Sequence, residues 1–217
     1  MLPLGGKPLF LHSVETALES DLVEQVCVSS DSIDILKLAE EYGAIGLRRP
    51  KELCGDQIPN FAVCQHAADR LRENKSSVEY IILLQPTTPF RTVEGLDQAI
   101  EAFMQKPAFD SLASVKRAHR LYGEINNGEW LSEQPLRGQR AQVKKPLYEM
   151  TGHLFILRVQ RTIMQNTLLG KKIFAWPIPP SWIDIDIDEP FDLLMARSIV
   201  DHGYHIFINR KIEGNSI

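Results

Sequence analysis

Three aspartates alternate with three isoleucines late in the chain, in the stretch WIDIDIDEP that starts at Trp182. On a β-strand, residues two apart point to the same face with their Cβ atoms roughly 6.5 Å apart. Asp186 and Asp188 can therefore lean toward one cation. Because Mg²⁺ takes few protein carboxylates and keeps waters and phosphate oxygens, the spacing predicts a phosphate-bridging Mg²⁺ site. The alternative is an exposed acidic edge whose carboxylates cap the next helix.

A second candidate is the stretch QPTTPFR, from Gln85 to Arg91, which follows the apolar run YIILL. In open α/β sheets the ligand crevice lies beyond the carboxyl ends of the strands. Gln85 carries amide donors and an acceptor for a base or a sugar, and the two prolines stiffen the loop. The alternative is an ordinary loop with Thr92 as a helix cap. The same rule selects Ser29-Ser30-Asp31, after an earlier predicted strand.

The composition narrows the class of protein. The 217 residues, 44% of them hydrophobic, predict one domain over residues 1–217 with an insertion at about 118–150. The net charge of -4 argues against a nucleic-acid binder. Three cysteines without CxxC spacing predict neither disulfides nor structural zinc, and a reducing cytoplasm fits them best. No apolar run has the length that spans a bilayer, so no membrane partner is expected.

The elements that must position these residues alternate along the chain. Strands are predicted at about 23–30, 44–47, 80–84, 111–115, 152–157 and 173–178, and across the aspartates. Helices are predicted at about 8–20, 33–43, 60–74, 93–105 and 190–202, the second capped by Asp31 or Ser32. Asn127-Gly128 indicates a hairpin. This alternation predicts a layered α/β fold with right-handed crossovers.

Several stretches, in the same order along the chain, resemble the acylneuraminate cytidylyltransferases. LLQPTTPFRT resembles their LLQPTSPLR segment, and IDIDEPFDL resembles their IDID-xx-DL ending. Further matches are LPLGGKPL, VSSD, RRPKEL followed by Asp56, and INNGEW. The resemblance runs from about Leu2 to His202. It implies a Rossmann-like nucleotidyltransferase three-layer sandwich with a mostly parallel sheet, and a small hairpin insertion through which a homodimer forms.

The resemblance also implies an activity and a set of roles. The activity is transfer of CMP from CTP to a 2-keto sugar acid such as sialic, legionaminic or pseudaminic acid, with release of pyrophosphate. Asp186 and Asp188 match the metal-binding pair and, with Gln85, form the catalytic set; Asp184 is an extra carboxylate on the same face. Positions expected near the nucleotide are Arg49, Asn60 and Asp31. Positions expected near the sugar acid are Gln85, Arg91, Arg120, Arg140 and Thr151, the last standing where the family usually has Asn.

One departure leaves a different reading open. Ahead of LPLGGKPL, the family carries a first strand and a Gly- and Lys-bearing loop that wraps the triphosphate, whereas the sequence starts at Met1. The alternative is therefore a catalytically impaired, noncatalytic remnant of the family. A glycosyltransferase with a metal-binding Asp-x-Asp is less favoured, because that motif usually lies in the middle of the chain.

Overall fold

The computed structural model describes residues 2–55, 57–73, 77–118, 123–132 and 146–203. The strands are β1 (Pro3–Leu4), β2 (Lys7–Pro8), β3 (Cys27–Ser30), β4 (Ile45–Arg48), β5 (Tyr80–Leu83), β6 (Ser111–Arg117), β7 (Gly123–Asn126), β8 (Glu129–Ser132), β9 (Tyr148–Arg158) and β10 (Ile173–Pro177). The α-helices are α1 (Leu9–Leu18), α2 (Ile33–Glu41), α3 (Asn60–Glu73), α4 (Val93–Met104) and α5 (Pro190–Asp201). Short 3-10 helices lie at Lys51–Leu53, Val159–Arg161 and Ile163–Gln165.

The main sheet has four strands in the order β10-β6-β9-β5. β10 runs parallel to β6, and β9 runs antiparallel to both β6 and β5. Three of the four strands therefore share one direction. β3 and β4 form a separate parallel pair, so the mostly parallel arrangement expected from the sequence is confirmed.

Helices cover both faces of the main sheet. Successive residues of a strand point to opposite sides, so neighbouring residues pack against different helices. On one face, Leu112 and Ile156 pack with Phe103 of α4. On the other face, Ala113 and Leu157 pack with Cys64 of α3. The result is a sandwich of helix, sheet and helix, as predicted.

Local signals set several helix starts. Ser32 caps α2, its hydroxyl accepting from the backbone N–H of Ile35 at 3.4 Å, which decides between the two predicted caps. Thr92 caps α4 in the same way. α5 starts at Pro190, behind a capping box in which the side chains of Glu189 and Asp192 accept from each other's backbone N–H groups. That helix directly follows the aspartates and holds the end of their segment.

The prediction of a strand across the aspartates is wrong. Residues 182–188 form no ladder; two of their N–H groups bond within the segment, from Ile185 to Ile183 and from Asp188 to Asp186. Bonds between residues two apart are local turns that compete with a sheet ladder. A third N–H, that of Ile187, donates to the carbonyl of Thr87 at 2.8 Å. The segment is therefore fastened to the loop after β5 and not to a neighbouring strand.

The predicted hairpin at Asn127-Gly128 is confirmed. β7 and β8 pair antiparallel around these two residues, both of which have left-handed φ angles, 49° and 85°. The hairpin belongs to the predicted insertion at 118–150; residues 119–122 and 133–145 of that insertion lie outside the described residues.

Candidate functional site

Arg91 organises the loop that follows β5. Its guanidinium is buried and donates to the carbonyl oxygens of His153 at 2.7 Å and of Gln85 at 2.5 Å. It also donates to the hydroxyls of Ser13 on α1 and of Thr88. One cation thus ties the loop to α1 and to β9, which fixes the backbone that carries Gln85.

The aspartate segment, residues 182–188, keeps the alternation of faces that the sequence predicts. Ile187 is buried, and Ile183 and Ile185 pack beside it in the core that also includes α5. Asp186 and Asp188 are exposed. The isoleucines therefore anchor the segment and turn the carboxylates outward, although no ladder holds it.

Asp184 differs from the other two aspartates. Its carboxylate forms an ion pair with the ammonium of Lys116 on β6 and lies 3.8 Å from Nδ1 of His153. Lys116 also meets the carboxylate of Glu149 at 3.3 Å. Partial burial lowers the pKa of Lys116, but these two carboxylates outweigh it and the pKa is raised. Lys116 therefore stays protonated and neutralises part of the negative charge of Asp184 and Glu149.

Gln85 and Asp186 converge on Gly152 of β9. A Cβ atom placed on Gly152 would collide with Oε1 of Gln85 and stand 3.8 Å from Oδ2 of Asp186. The amide after β5 and the exposed carboxylate are thus neighbours. The structure brings together the two candidate motifs that the sequence placed about a hundred residues apart.

The donor set at the end of the segment fits a hard divalent cation. Among the described residues, no hydrogen-bond or ion-pair partner reaches the carboxylates of Asp186 and Asp188. No group of three or more His, Cys, Asp or Glu side chains within those same residues is arranged to hold a metal. Mg²⁺ is usually bound by one or two carboxylates while waters and phosphate oxygens complete its shell, and these two exposed carboxylates suit it.

His153 lies on β9 beside the aspartate segment. It is fully buried, stacks on Trp182 with ring centroids 5.7 Å apart, and its ring nitrogens lie 3.1 Å from the carbonyl oxygen of Ile183 and 3.2 Å from that of Thr151. Burial lowers the pKa of His153, and the nearby Arg91 cation lowers it further. A neutral imidazole carries one N–H, and with that proton on Nε2 it donates to the carbonyl of Ile183 and links β9 to the aspartate segment.

The predicted nucleotide-side residues lie on the second sheet and its flanking helix. Arg49 follows β4 and donates from Nε to the Ser29 hydroxyl at 3.2 Å and from Nη2 to the Ser29 carbonyl at 2.6 Å. Asp31 follows β3 with an exposed side chain, and Asn60 is the first residue of α3. Among the described residues, no hydrogen bond joins these three to Gln85 or Asp186.

The predicted sugar-side residues fall into three groups. Gln85 lies at the convergence point. The side chains of Arg91 and Thr151 are buried, and the Thr151 hydroxyl donates to that of Ser114 at 2.9 Å, so a contact of either with a substrate stays a prediction. Arg120 and Arg140 lie outside the described residues.

Residues that sequence reasoning did not select are Lys116, Ser114 and Gly152. A lysine near the end of a strand carries no signal of its own partner, and neither does a buried serine. Gly152 does carry one, because a glycine within a strand pattern often marks a bulge or a close backbone approach.

Known proteins are similar to this chain over most of its length. The chain is 29% identical over 202 residues to the N-acylneuraminate cytidylyltransferase of Escherichia coli, covering 91% of this chain but 47% of that protein. It is 26% identical to the CMP-N,N'-diacetyllegionaminic acid synthase of Legionella pneumophila, covering 91% of this chain and 87% of that one. The chain spans about half the length of the first relative.

The fold also matches a solved structure. The CMP:2-keto-3-deoxy-manno-octonic acid synthetase complexed with CTP superposes with a TM-score of 0.63 at 15% identity, covering 93% of this chain and 90% of that one. The family model described as cytidylyltransferase matches residues 1–176, and the chain belongs to this family.

Proposed function

We propose that the chain transfers CMP from CTP to an acylneuraminate-like 2-keto sugar acid, releases pyrophosphate and uses Mg²⁺ as its cofactor. The observation that carries the proposal is the meeting of the Gln85 amide and the Asp186 carboxylate over Gly152, in a member of the cytidylyltransferase family. The relatives from E. coli and Legionella, by their names, act on acids of this type.

The reaction needs two anions to be placed in line. The anomeric hydroxyl oxygen of the sugar acid bonds to the α-phosphorus of CTP, the bond from that phosphorus to the bridging oxygen of the β-phosphate breaks, and the hydroxyl proton is lost. The protein's part is to position the reactants and to stabilise the charge that grows on the phosphates. The Gln85 amide suits the sugar acid, since it both donates and accepts hydrogen bonds.

The carboxylates of Asp186 and Asp188 would hold the Mg²⁺. When bound there, Mg²⁺ supplies positive charge to the phosphate oxygens. We assign no metal role to Asp184, because its carboxylate pairs with Lys116.

The nucleotide is assigned to the residues beside β3 and β4. The guanidinium of Arg49 is held by Ser29 through Nε and Nη2. Asn60 starts α3, and the N-terminal turn of a helix favours negative charge. We place the CTP against these two residues and Asp31.

A turnover assay tests the proposal. The chain is incubated with CTP, Mg²⁺ and sialic, legionaminic or pseudaminic acid in turn, and released pyrophosphate is measured. We expect release that requires both CTP and one of the acids. If no acid supports CTP-dependent release, the proposal is wrong and the alternative, a noncatalytic remnant of the family, is favoured.

We also propose that the chain is a homodimer that joins through the hairpin of β7 and β8. Ile125 and Trp130 are paired across that hairpin and are 77% and 47% exposed. Leu147, Tyr148 and Met150, at and before the start of β9, are exposed as well. Exposed apolar clusters of this kind mark interaction surfaces, and a second copy of the same hairpin is the occupant that we propose.

The compartment proposed is the cytoplasm, with no membrane or nucleic-acid partner. Cys27, Cys54 and Cys64 are free thiols, and burial raises the pKa of Cys64 to about 12. Free thiols are the usual state in a reducing compartment. Within the described part of the chain, no helix is long and apolar enough to cross a bilayer.

A further inference from the structure

β9 carries a large bulge at the candidate site. Met150 pairs with Val115 and Phe155 pairs with Ala113. Between those two pairs, β6 has the single residue Ser114 while β9 has residues 151–154. Extra residues on one strand bend it and aim part of its backbone away from the ladder.

Neighbouring elements hold this bulge in place. The Ser114 hydroxyl lies within hydrogen-bond distance of both ends, accepting from the Thr151 hydroxyl at 2.9 Å and from the Leu154 N–H at 3.0 Å. Arg91 donates to the carbonyl of His153 at 2.7 Å. The bulge is therefore fastened both to β6 and to the loop that carries Gln85.

Gly152 lies at the turn of the bulge with a φ of +69°, and its missing side chain leaves room for Gln85. A Cβ there would overlap Oε1 of Gln85 and stand 3.4 Å from its Cδ. Gly43 and Gly128 also have positive φ angles, but a Cβ on either would meet nothing within 4 Å. Gly152 thus meets two requirements, backbone conformation and close approach, whereas the other two glycines meet only the first.

We propose that Gly152 is a positioning residue for the reaction, because its bare backbone sets how closely the Gln85 amide approaches Asp186. The proposal rests on the proposed function for the meaning of that distance: an oxygen atom of the sugar acid bonds to the amide beside the carboxylate. Any side chain at Gly152 displaces the amide and with it the sugar acid. The nucleotide side, on β3, β4 and α3, is unaffected.

A set of four variants tests this inference. Gly152→Ala introduces the clash together with backbone strain, and Gly43→Ala introduces comparable strain at a φ of +96° without a clash. Gln85→Ala removes the amide with which the new Cβ atom would collide. Gln85→Ala combined with Gly152→Ala completes a double-mutant cycle.

In turnover assays we expect Gly152→Ala to reduce kcat/KM for the sugar acid by about 100-fold, the scale of an ångström misplacement. We expect KM for CTP to change less than about threefold, because the displaced Gln85 amide is assigned to the sugar acid and not to the nucleotide. In the Gln85→Ala background, Gly152→Ala should cost less than about threefold more. An equal loss in both backgrounds, or the same loss in Gly43→Ala, would overturn the inference.

Crystal structures of the original chain and of Gly152→Ala separate this inference from the proposed function, since they need no turnover. In Gly152→Ala the Gln85 amide should have moved away from residue 152, at little cost in stability, because Oε1 is the free end of a flexible side chain. A Gln85 amide that keeps its place in Gly152→Ala would refute the contact itself. If the original chain shows no CTP turnover while the amide moves, the proposed function fails and the contact between Gly152 and Gln85 stands.

Discussion

Lys116 forms an ion pair with Asp184, the first of the three alternating aspartates, whereas none of the described residues bonds to the carboxylates of Asp186 and Asp188. Three residues of one type, on one face of one segment, thus have two different environments. Asp184 belongs to a network with Glu149 and His153 that joins β6 to the segment. The other two carboxylates are the ones that we propose as Mg²⁺ ligands.

This difference predicts unequal effects of the same substitution. Asp186→Asn should reduce CTP turnover by at least about 100-fold, because it removes a proposed ligand of the Mg²⁺ that would stabilise phosphate charge. Asp184→Asn should reduce turnover by less than about tenfold. Steady-state pyrophosphate release over a range of Mg²⁺ concentrations measures both. If the two variants are equally impaired, the division of roles is wrong.

Arg91 should matter for stability. Arg91→Met removes donors to four oxygen atoms in a site where the side chain is 5% exposed, and should cost about 3 kcal/mol of unfolding free energy. Urea denaturation measures this loss.

The matched control for Arg91 is Arg70→Met. The side chain of Arg70 is 55% exposed and pairs with Glu73 on the surface of α3, so its loss should cost less than about 1 kcal/mol. Similar losses for the two arginines would contradict the proposed anchoring of the loop.

His153 should make stability depend on pH. Its pKa in the folded protein is lowered from 6.5, mainly by burial, so below pH 6.5 the unfolded chain binds a proton that the folded chain does not. The stability from neutral His153 is therefore full above pH 6.5 and is lost as the pH falls toward the lower, folded pKa.

Unfolding free energies of the original chain and His153→Gln, measured between pH 8 and pH 5, test this sign. The difference between the two curves should shrink as the pH falls below 6.5. His12, whose pKa burial also lowers, remains in both proteins and cancels. The exposed His202, changed to Gln, is the control. A difference that is constant with pH would show that His153 does not titrate as proposed.

The sequence predicts which face each residue of the aspartate segment occupies, but not how the backbone of that segment is bonded. Ile183, Ile185 and Ile187 lie on the opposite face from Asp186 and Asp188, as their alternation predicts, because alternating burial needs only an extended backbone. The strand was wrong, since pairing depends on a neighbour that periodicity does not reveal. The N–H of Ile187 bonds to Thr87 instead of to a ladder.

The site itself shows the same limit. Gln85 and Asp186 were selected by residue type and by their positions after predicted elements, and they do converge. That Arg91 and Thr151 are buried could not be read from the sequence, because burial depends on Ser13, His153 and Ser114, which lie far away along the chain. Tertiary packing decides which polar side chains face a ligand and which hold the backbone.

The exposed apolar residues of the hairpin of β7 and β8 should control the assembly of the chain. Ile125→Glu with Trp130→Glu places two charges on the exposed apolar face and should convert the proposed dimer to a monomer, as light scattering during size-exclusion chromatography would show. Ile33→Glu, at an isoleucine that is 58% exposed on α2, should leave the mass unchanged. A dimer that survives the double substitution would place the interface elsewhere.

The most direct test of the central claim is calorimetric titration of CTP into the chain, with Mg²⁺ and with EDTA, and into the Asp186→Asn, Asp188→Asn double variant. We predict micromolar binding that requires both Mg²⁺ and the two carboxylates. Binding that is unchanged by EDTA and by the double substitution would contradict the claim that Asp186 and Asp188 hold Mg²⁺ against the nucleotide's phosphates.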